Sequence, residues 1–266
     1  MRTRTRLFYS LAVPLALSAL LAFRPTTDTR ETRELPAFSA VRLGTRATVI
    51  VRQGSPQRVL VEAASADLPY IQTEVVNNQL RISTAMVGTQ IGPIKFNPHT
   101  ATLTGPVTVY VTLPTVRGLA VSSSGRLQAD TLQAQYLTLA VSSSGQLRLG
   151  QVQAGSMRAG LSSSGQLSIR QLRADTLRAT LSSSGIITAV GVCTYSALGV
   201  SSSGRLNAAG LAVQDCQVRI SSSGTCQVNV ARSLDAYLSG SGSVVVSGHP
   251  HVISHTSGSG RVRLAQ

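Results

Sequence analysis

From residue 119 to the C-terminus, apolar and polar side chains alternate one by one in short runs, and the runs themselves recur about every twenty residues. Alternation with a period of two is the pattern of a strand with one buried face; a helix would repeat its apolar positions every three to four residues. The longer period is punctuated by Ser-Ser-Ser-Gly, which occurs six times and ends at Gly125, Gly145, Gly165, Gly185, Gly204 and Gly224. Ser-Gly-Ser-Gly then ends at Gly242 and Gly260, so that successive glycines stand 20, 20, 20, 19, 20, 18 and 18 residues apart. Two positions after the glycines come Leu127, Leu147, Leu167, Ile187, Leu206, Cys226 and Val244. Four positions before them come Val141, Leu161, Leu181, Val200, Ile220 and Leu238, and a middle corner is held by Leu132, Val152, Leu172, Val192 and Leu211.

A twenty-residue unit cannot bury an apolar face alone; it must stack on its neighbours. The pattern therefore predicts an all-β fold, a single-stranded parallel β-helix or β-solenoid of expected right-handed sense, with regular coils over 119–266 spaced about 4.8 Å apart. The corner glycines are expected at positive φ. The serines beside them are assigned a structural role, with their hydroxyls forming ladders and satisfying the corner backbone. Residues 35–118 continue the alternation irregularly, over Ala47–Arg52, Arg58–Ala63, Ile71–Val76, Gln79–Ser83 and Val107–Leu113, and read as irregular N-terminal coils or a cap. Within them, 86–105 is rich in Gly, Pro and Thr and reads as a long loop, the preferred place for variable recognition.

Residues 1–23 have the layout of a secretory signal peptide: Arg2, Arg4 and Arg6 precede an apolar run from Leu7 to Phe23. Export to the periplasm, the outer membrane surface or the extracellular space follows, with cleavage of the leader or its retention as an anchor both open. The full chain carries 24 Lys and Arg against 10 Asp and Glu, a net charge of +14, and the excess stays large without the leader. Such a field favours anionic partners and weakens with salt. Candidate partners are anionic glycans, lipopolysaccharide or a cell-surface protein, together with peripheral association with the envelope. Arg148, Arg158, Arg170, Arg173 and Arg178 concentrate in two successive coils. Nucleic acid is a poor candidate, because aromatics make up only 4% of the chain and no recognition module is present. Open solenoid ends tend to associate, so a homo-oligomer is a further expectation.

The residues that could carry chemistry are few. Cys193, Cys216 and Cys226 are an odd number for an oxidising compartment. Cys216 and Cys226 fall in apolar columns and read as core, whereas Cys193, next to Val192, is expected to face outward. His249, His251 and His255 cluster near the end of the chain, with His99 elsewhere, in a spacing that does not specify a metal site. Parallel β-helices include lyases and glycosidases, and glycoside hydrolysis needs paired carboxyls. The coils offer Asp130, Asp175, Asp215 and Asp235, of which only the last two come near adjacent-coil stacking. No catalytic, metal or cofactor site is assigned. A polysaccharide lyase or hydrolase, and a purely structural envelope protein, remain the alternatives to a binding module.

From about Phe38 to Leu264 the sequence resembles the bacterial "putative auto-transporter adhesin, head GIN domain" family. The resemblance is carried by Phe38-Ser39-Ala40-Val41, by Val49-Ile50-Val51-Arg52-Gln53-Gly54, by Leu68 to Val75, by Gln79-Leu80-Arg81-Ile82, by Val107 to Pro114, and by the serial Ser-x-Ser-Gly corners. Leu234 to Gly248 is especially characteristic. The resemblance implies an exported β-helical protein of the cell envelope, adhesin-like and without assigned catalytic residues. The first six corners depart from the family's usual Ser-Gly-Ser-Gly.

Overall fold

A computed structural model describes residues 28–91 and 94–265. Residues 1–23, expected to be a leader, lie outside the described residues. The N-terminal part contains β1 (Asp28–Arg33), β2 (Ala40–Leu43), β3 (Thr48–Gln53), β4 (Arg58–Ala64), β5 (Ile71–Val76), β6 (Gln79–Thr84), β7 (Met86–Ile91), β8 (Ile94–Thr100), β9 (Thr108–Leu113) and β10 (Gly118–Val121). Six long bent strands follow: β11 (Arg126–Val141), β12 (Gln146–Leu161), β13 (Gln166–Leu181), β14 (Ile186–Val200), β15 (Arg205–Ile220) and β16 (Thr225–Ser239). The chain finishes with β17 (Ser243–Ser247), β18 (His251–Ser257) and β19 (Arg261–Leu264). The one helical element among the described residues is a single 3-10 turn, Leu68–Tyr70.

Each long strand is one coil of a parallel β-solenoid. Between β11 and β12, Leu127 lies over Leu147, Leu132 over Val152 and Leu139 over Ala159. Pairing skips Asp130 and Gly150, and again Gln135 and Gly155. The coil therefore has three flanks, a first over 126–129, a second over 131–134 and a third over 136–141, closed by the serine corner. Alternation places one side chain in two inside; Leu127, Leu147 and Leu167 are all fully buried. A buried Leu contributes about 1.5–3 kcal/mol by leaving water, and the matched columns repeat that gain in every coil.

Three expectations are corrected. The corner glycines do not have positive φ; they are required by close approach. A Cβ on Gly145 would lie 2.4 Å from Val121 Cγ1, and one on Gly185 would lie 2.2 Å from Leu161 Cδ2 and 2.5 Å from the Ser163 carbonyl. Much of the corner backbone is bonded from coil to coil, as in Ser162 N to Val141 O at 3.0 Å and Gln166 N to Gly145 O at 2.9 Å. Serine hydroxyls assist mainly at the first corner, where Ser123 donates to the Thr45 carbonyl at 2.6 Å.

Val192, expected inside, is 45% exposed, and Cys193, expected outside, is buried. The nineteen-residue coil loses its residue at the bend before the second flank: Ile169 pairs Ala189, but Leu172 already pairs Gly191. Every following side chain on that flank is thereby turned over. Gly191 fills the corner position with φ +134°, where a Cβ would lie 2.0 Å from the Leu172 carbonyl oxygen.

Residues 86–105 are not one long loop. β7 and β8 pair antiparallel as a separate hairpin, with Met86 opposite Thr100 and Val87 opposite His99. Alternation of Val87, Thr89 and Ile91 carries the strand signal, which the surrounding glycine and proline masked.

The N-terminal strands extend the same flanks but not in chain order. β10 lies between β2 and β11 on the third flank, and β3 lies between β9 and β11 on the first. The chain passes from β2 to β3, makes an excursion through β4–β8, and returns as β9 and β10, so the first layer is interleaved. β4 caps the first flank by pairing antiparallel to both β1 and β9, while β5 pairs antiparallel to β6. At the other end the last rungs are open: Leu264 is 66% exposed and Ile253 48%.

Candidate functional site

The inward face of the solenoid is filled by aliphatic side chains, which leaves its chemistry to the outer columns and the ends. On the third flank one outer column can be followed by register from end to end. It starts at Arg81 and Arg42, continues through Ala120, Ala140 and Gly160, then Thr180 and Gly199, and finishes at Arg219, Tyr237 and His255. The parallel register stacks the last three directly. The Tyr237 and His255 rings lie 4.8 Å apart and 14° from parallel, and the Arg219 guanidinium sits 5.0 Å from the Tyr237 centroid. Cation–π and ring stacking fix the three long side chains against one another. A hydrogen bond to the Asp235 carboxylate raises the Tyr237 phenol above its ordinary value.

The stack lines a groove of about 640 Å³ that also touches Thr180, Gly199 and the corner serines Ser201 and Ser221. Gly160 and Gly199 within this column differ from the corner glycines. Neither has positive φ, and a Cβ would meet nothing closer than 3.9 Å at Gly160 or 3.7 Å at Gly199. Glycine inside a strand costs about 0.5–1 kcal/mol relative to alanine, and packing does not require it at these two positions.

A second groove, about 830 Å³, lies on the first flank of the N-terminal part, where Arg30, Arg52 and Arg58 surround Ile50, Leu60 and Tyr110. Arg30 is tied to Glu62 at 3.1 Å. A hydrogen bond to Glu62 also raises the Tyr110 phenol.

The sequence candidates are dispersed. Arg158 and Arg178 stand over each other on the third flank. Arg148 is on the first flank, Arg173 on the second and Arg170 at the bend between them, so the five arginines do not form one patch. Asp215 pairs with Ser233, not with Asp235, because the eighteen-residue coil offsets the two aspartates by two positions. Arg232 Nε donates to Asp215 at 2.8 Å and Ser233 Oγ at 2.6 Å; these bonds lower its pKa to about 2. A carboxyl held ionised in this way is a poor general acid. Asp130 sits at a bend.

Cys193, Cys216 and Cys226 are free and buried. Desolvation pushes Cys193 and Cys216 up to about 11 and raises Cys226 well above its ordinary value, so none is a ready nucleophile. Ser196, fully buried in the column of Cys216, donates to its sulfur at 3.1 Å; the sequence reading missed it, although it stands eight residues before Gly204 as Cys216 does before Gly224. Among the described residues no three His, Cys, Asp or Glu side chains converge as a metal site. His255 is in the stack, His251 lies opposite Ser233, and His249 is exposed in the turn before β18. The segment preferred for recognition is partly pinned: buried Asp67 accepts from Thr104 N at 2.9 Å and Gly105 N at 3.0 Å. Burial alone would raise this carboxyl, but those bonds and the Thr104 hydroxyl outweigh it and hold it below its ordinary value. No helix among the described residues is long and apolar enough to cross a membrane.

Against this geometry, the family model described as "Putative auto-transporter adhesin, head GIN domain" matches residues 37–250. The chain belongs to that head GIN domain family. Solved structures with the same fold include a "putative lipid binding protein" from Parabacteroides distasonis, with TM-score 0.83 at 20% identity over 91% of this chain and 98% of that one. A "putative adhesin" from Parabacteroides merdae gives TM-score 0.81 at 17% identity, and another from P. distasonis 0.79 at 21%, each over 91% of this chain and 98% of that one. At these identities the likeness concerns the fold. No curated protein matches in sequence. This chain is nearly all β, a solenoid of about seven stacked turns.

Proposed function

We propose that this chain is an exported protein of the cell envelope or cell surface that works as an adhesin-like binding module for anionic glycans or surface partners. The observation that carries the reading is a rigid stack whose outer faces present unneutralised arginines beside grooves lined with hydroxyl and aromatic side chains. Arg158 and Arg178 have no carboxylate partner among the described residues. Family membership supports adhesion. The leader-like residues 1–23 support export, and the ionised, bonded Asp215 favours binding over hydrolysis. Lipopolysaccharide shares the anionic chemistry through its phosphates and belongs in the same test, as does the lipid named for one structural relative.

The test is retention of the protein lacking residues 1–23 on a panel of immobilised acidic and neutral glycans and on lipopolysaccharide. Binding to acidic members at low salt that falls as salt rises is expected. Equal or absent retention on acidic and neutral members would sink the reading. Release of product from an acidic polysaccharide would move the chain to the lyase class.

A further inference from the structure

We propose that the groove beside Arg219, Tyr237 and His255 is one end of a binding track for an acidic polysaccharide, which lies along the solenoid axis on the outer third flank. The proposal rests on the binding-module reading and adds the site, its direction and its ligand class. The groove supplies the end of the track: a guanidinium, a phenol and an imidazole held rigid by stacking, facing corner serine hydroxyls across about 640 Å³. Hydroxyl donors and acceptors on one wall and a fixed guanidinium on the other match a ligand that is rich in hydroxyls and carries carboxylate or sulfate groups.

The column then determines how far the ligand can run. Beyond Arg219 come Gly199, Thr180, Gly160, Ala140 and Ala120, with the next long side chains at Arg42 and Arg81. Five rungs of small residues at about 4.8 Å make a floor roughly 20 Å long, which suits an extended polymer and not a single sugar. Arg158 and Arg178, exposed two residues earlier in their coils, border it. Exposed serines of the corners, Ser162, Ser182 and Ser201, border the opposite side. The freedom around Gly160 and Gly199 acquires a reason: glycine in a strand that packing does not need marks the close approach of something outside the chain. Arg81 is tied to Glu74 at 3.9 Å, which leaves Arg42 at one end, Arg219 at the other and Arg158 and Arg178 along one side to give that occupant its negative charge.

The test measures binding of the protein lacking residues 1–23 to polygalacturonate, heparin, neutral dextran and vesicles containing lipopolysaccharide, in the wild type and in Gly199→Leu, Gly160→Leu and Arg219→Ala/Tyr237→Ala. The two glycine variants have room for the new side chain, and an unchanged melting temperature establishes that they fold. Expected is binding of wild type to polygalacturonate or heparin but not dextran, weakened at least about tenfold in each variant, with carboxylate and sulfate sources told apart by the two polymers. Wild-type binding unchanged in all the variants would overturn the track and leave the binding-module reading standing. Binding confined to the vesicles, or self-association abolished by Gly199→Leu with glycan binding intact, would also overturn it. Binding to no acidic probe would overturn both.

Discussion

The regular coils and the N-terminal part share one core chemistry and reach it by opposite routes. In β11–β16 each buried residue sits on its counterpart about twenty residues along the chain, as Leu147 does on Leu127. In the N-terminal part the neighbours are distant: β3 is joined to β9 and β11, some sixty and eighty residues away. The coils therefore hold together by close approach at their corners. The interleaved part also relies on specific buried polar bonds, those of Asp67 and the hydroxyl pair of Thr45 and Thr84. Stacking tolerates changes on its outside and punishes bulk at its corners, whereas the cap depends on single contacts.

The largest effect separating the two regions is expected at a corner. Gly185→Val would drive a side chain into Leu161 and two carbonyls, with no flexible end to yield. Its urea denaturation midpoint should fall by the equivalent of about 3 kcal/mol, at the upper end of overpacking costs. A loss no greater than that of Gly199→Leu would mean that the corners are not close-packed.

Next comes Asp67→Ala, which leaves the N–H groups of Thr104 and Gly105 without their acceptor and should cost about 1–3 kcal/mol. Hydrogen exchange should rise over 102–107 while β12–β15 stay protected. Because the folded carboxyl lies below its ordinary value, its contribution is complete above the ordinary carboxylate range and is lost as pH falls through and below it. Acid should loosen the cap before the coils. Simultaneous loss of protection everywhere would show the two regions to be one cooperative unit.

How much could be read beforehand divides along the same line. Repeats with nearest-neighbour partners expose their columns to inspection, so the strand alternation, the core places of Cys216 and Cys226 and the regular coils were legible. One missing residue at the bend of β14 defeated the reading of Val192 and Cys193, because register within a coil depends on where a deletion falls. The β7–β8 hairpin and the interleaving of β2, β3, β9 and β10 were hidden, since no period links strands that far apart. The stack of Arg219, Tyr237 and His255 was available in principle: all three stand five residues before a corner glycine, in an outward column that a reading centred on the core passes over.

Cys193 sharpens that point at a smaller scale. With its thiol pushed up from 9.0 to about 11, it carries about a hundredfold less thiolate at neutral pH than an unperturbed cysteine. Labelling by a disulfide reagent at pH 7.5 should be correspondingly slow in the native protein for all three thiols, and rapid in denaturant. Fast native labelling of Cys193 alone would return it to the outer face and restore the uninterrupted register that the structure denies.

The smallest effect is expected at Asp215, and there the comparison bears on function. Its partner Arg232 is 70% exposed at the side chain, so solvent and salt screen the pair. The carboxyl's pKa of about 2 confines any pH dependence to acid below the ordinary carboxylate range, the contribution being lost as pH falls toward that value. Asp215→Asn should therefore melt with the wild type at pH 7, within the error of the scan. If the coils were a polysaccharide-cleaving scaffold, this substitution would be silent in the melt yet abolish product release. Binding to acidic polymer by a variant that melts and binds like wild type, with no product from either, leaves the half-buried Asp215 without a catalytic part and leaves recognition to the arginine-bordered third flank.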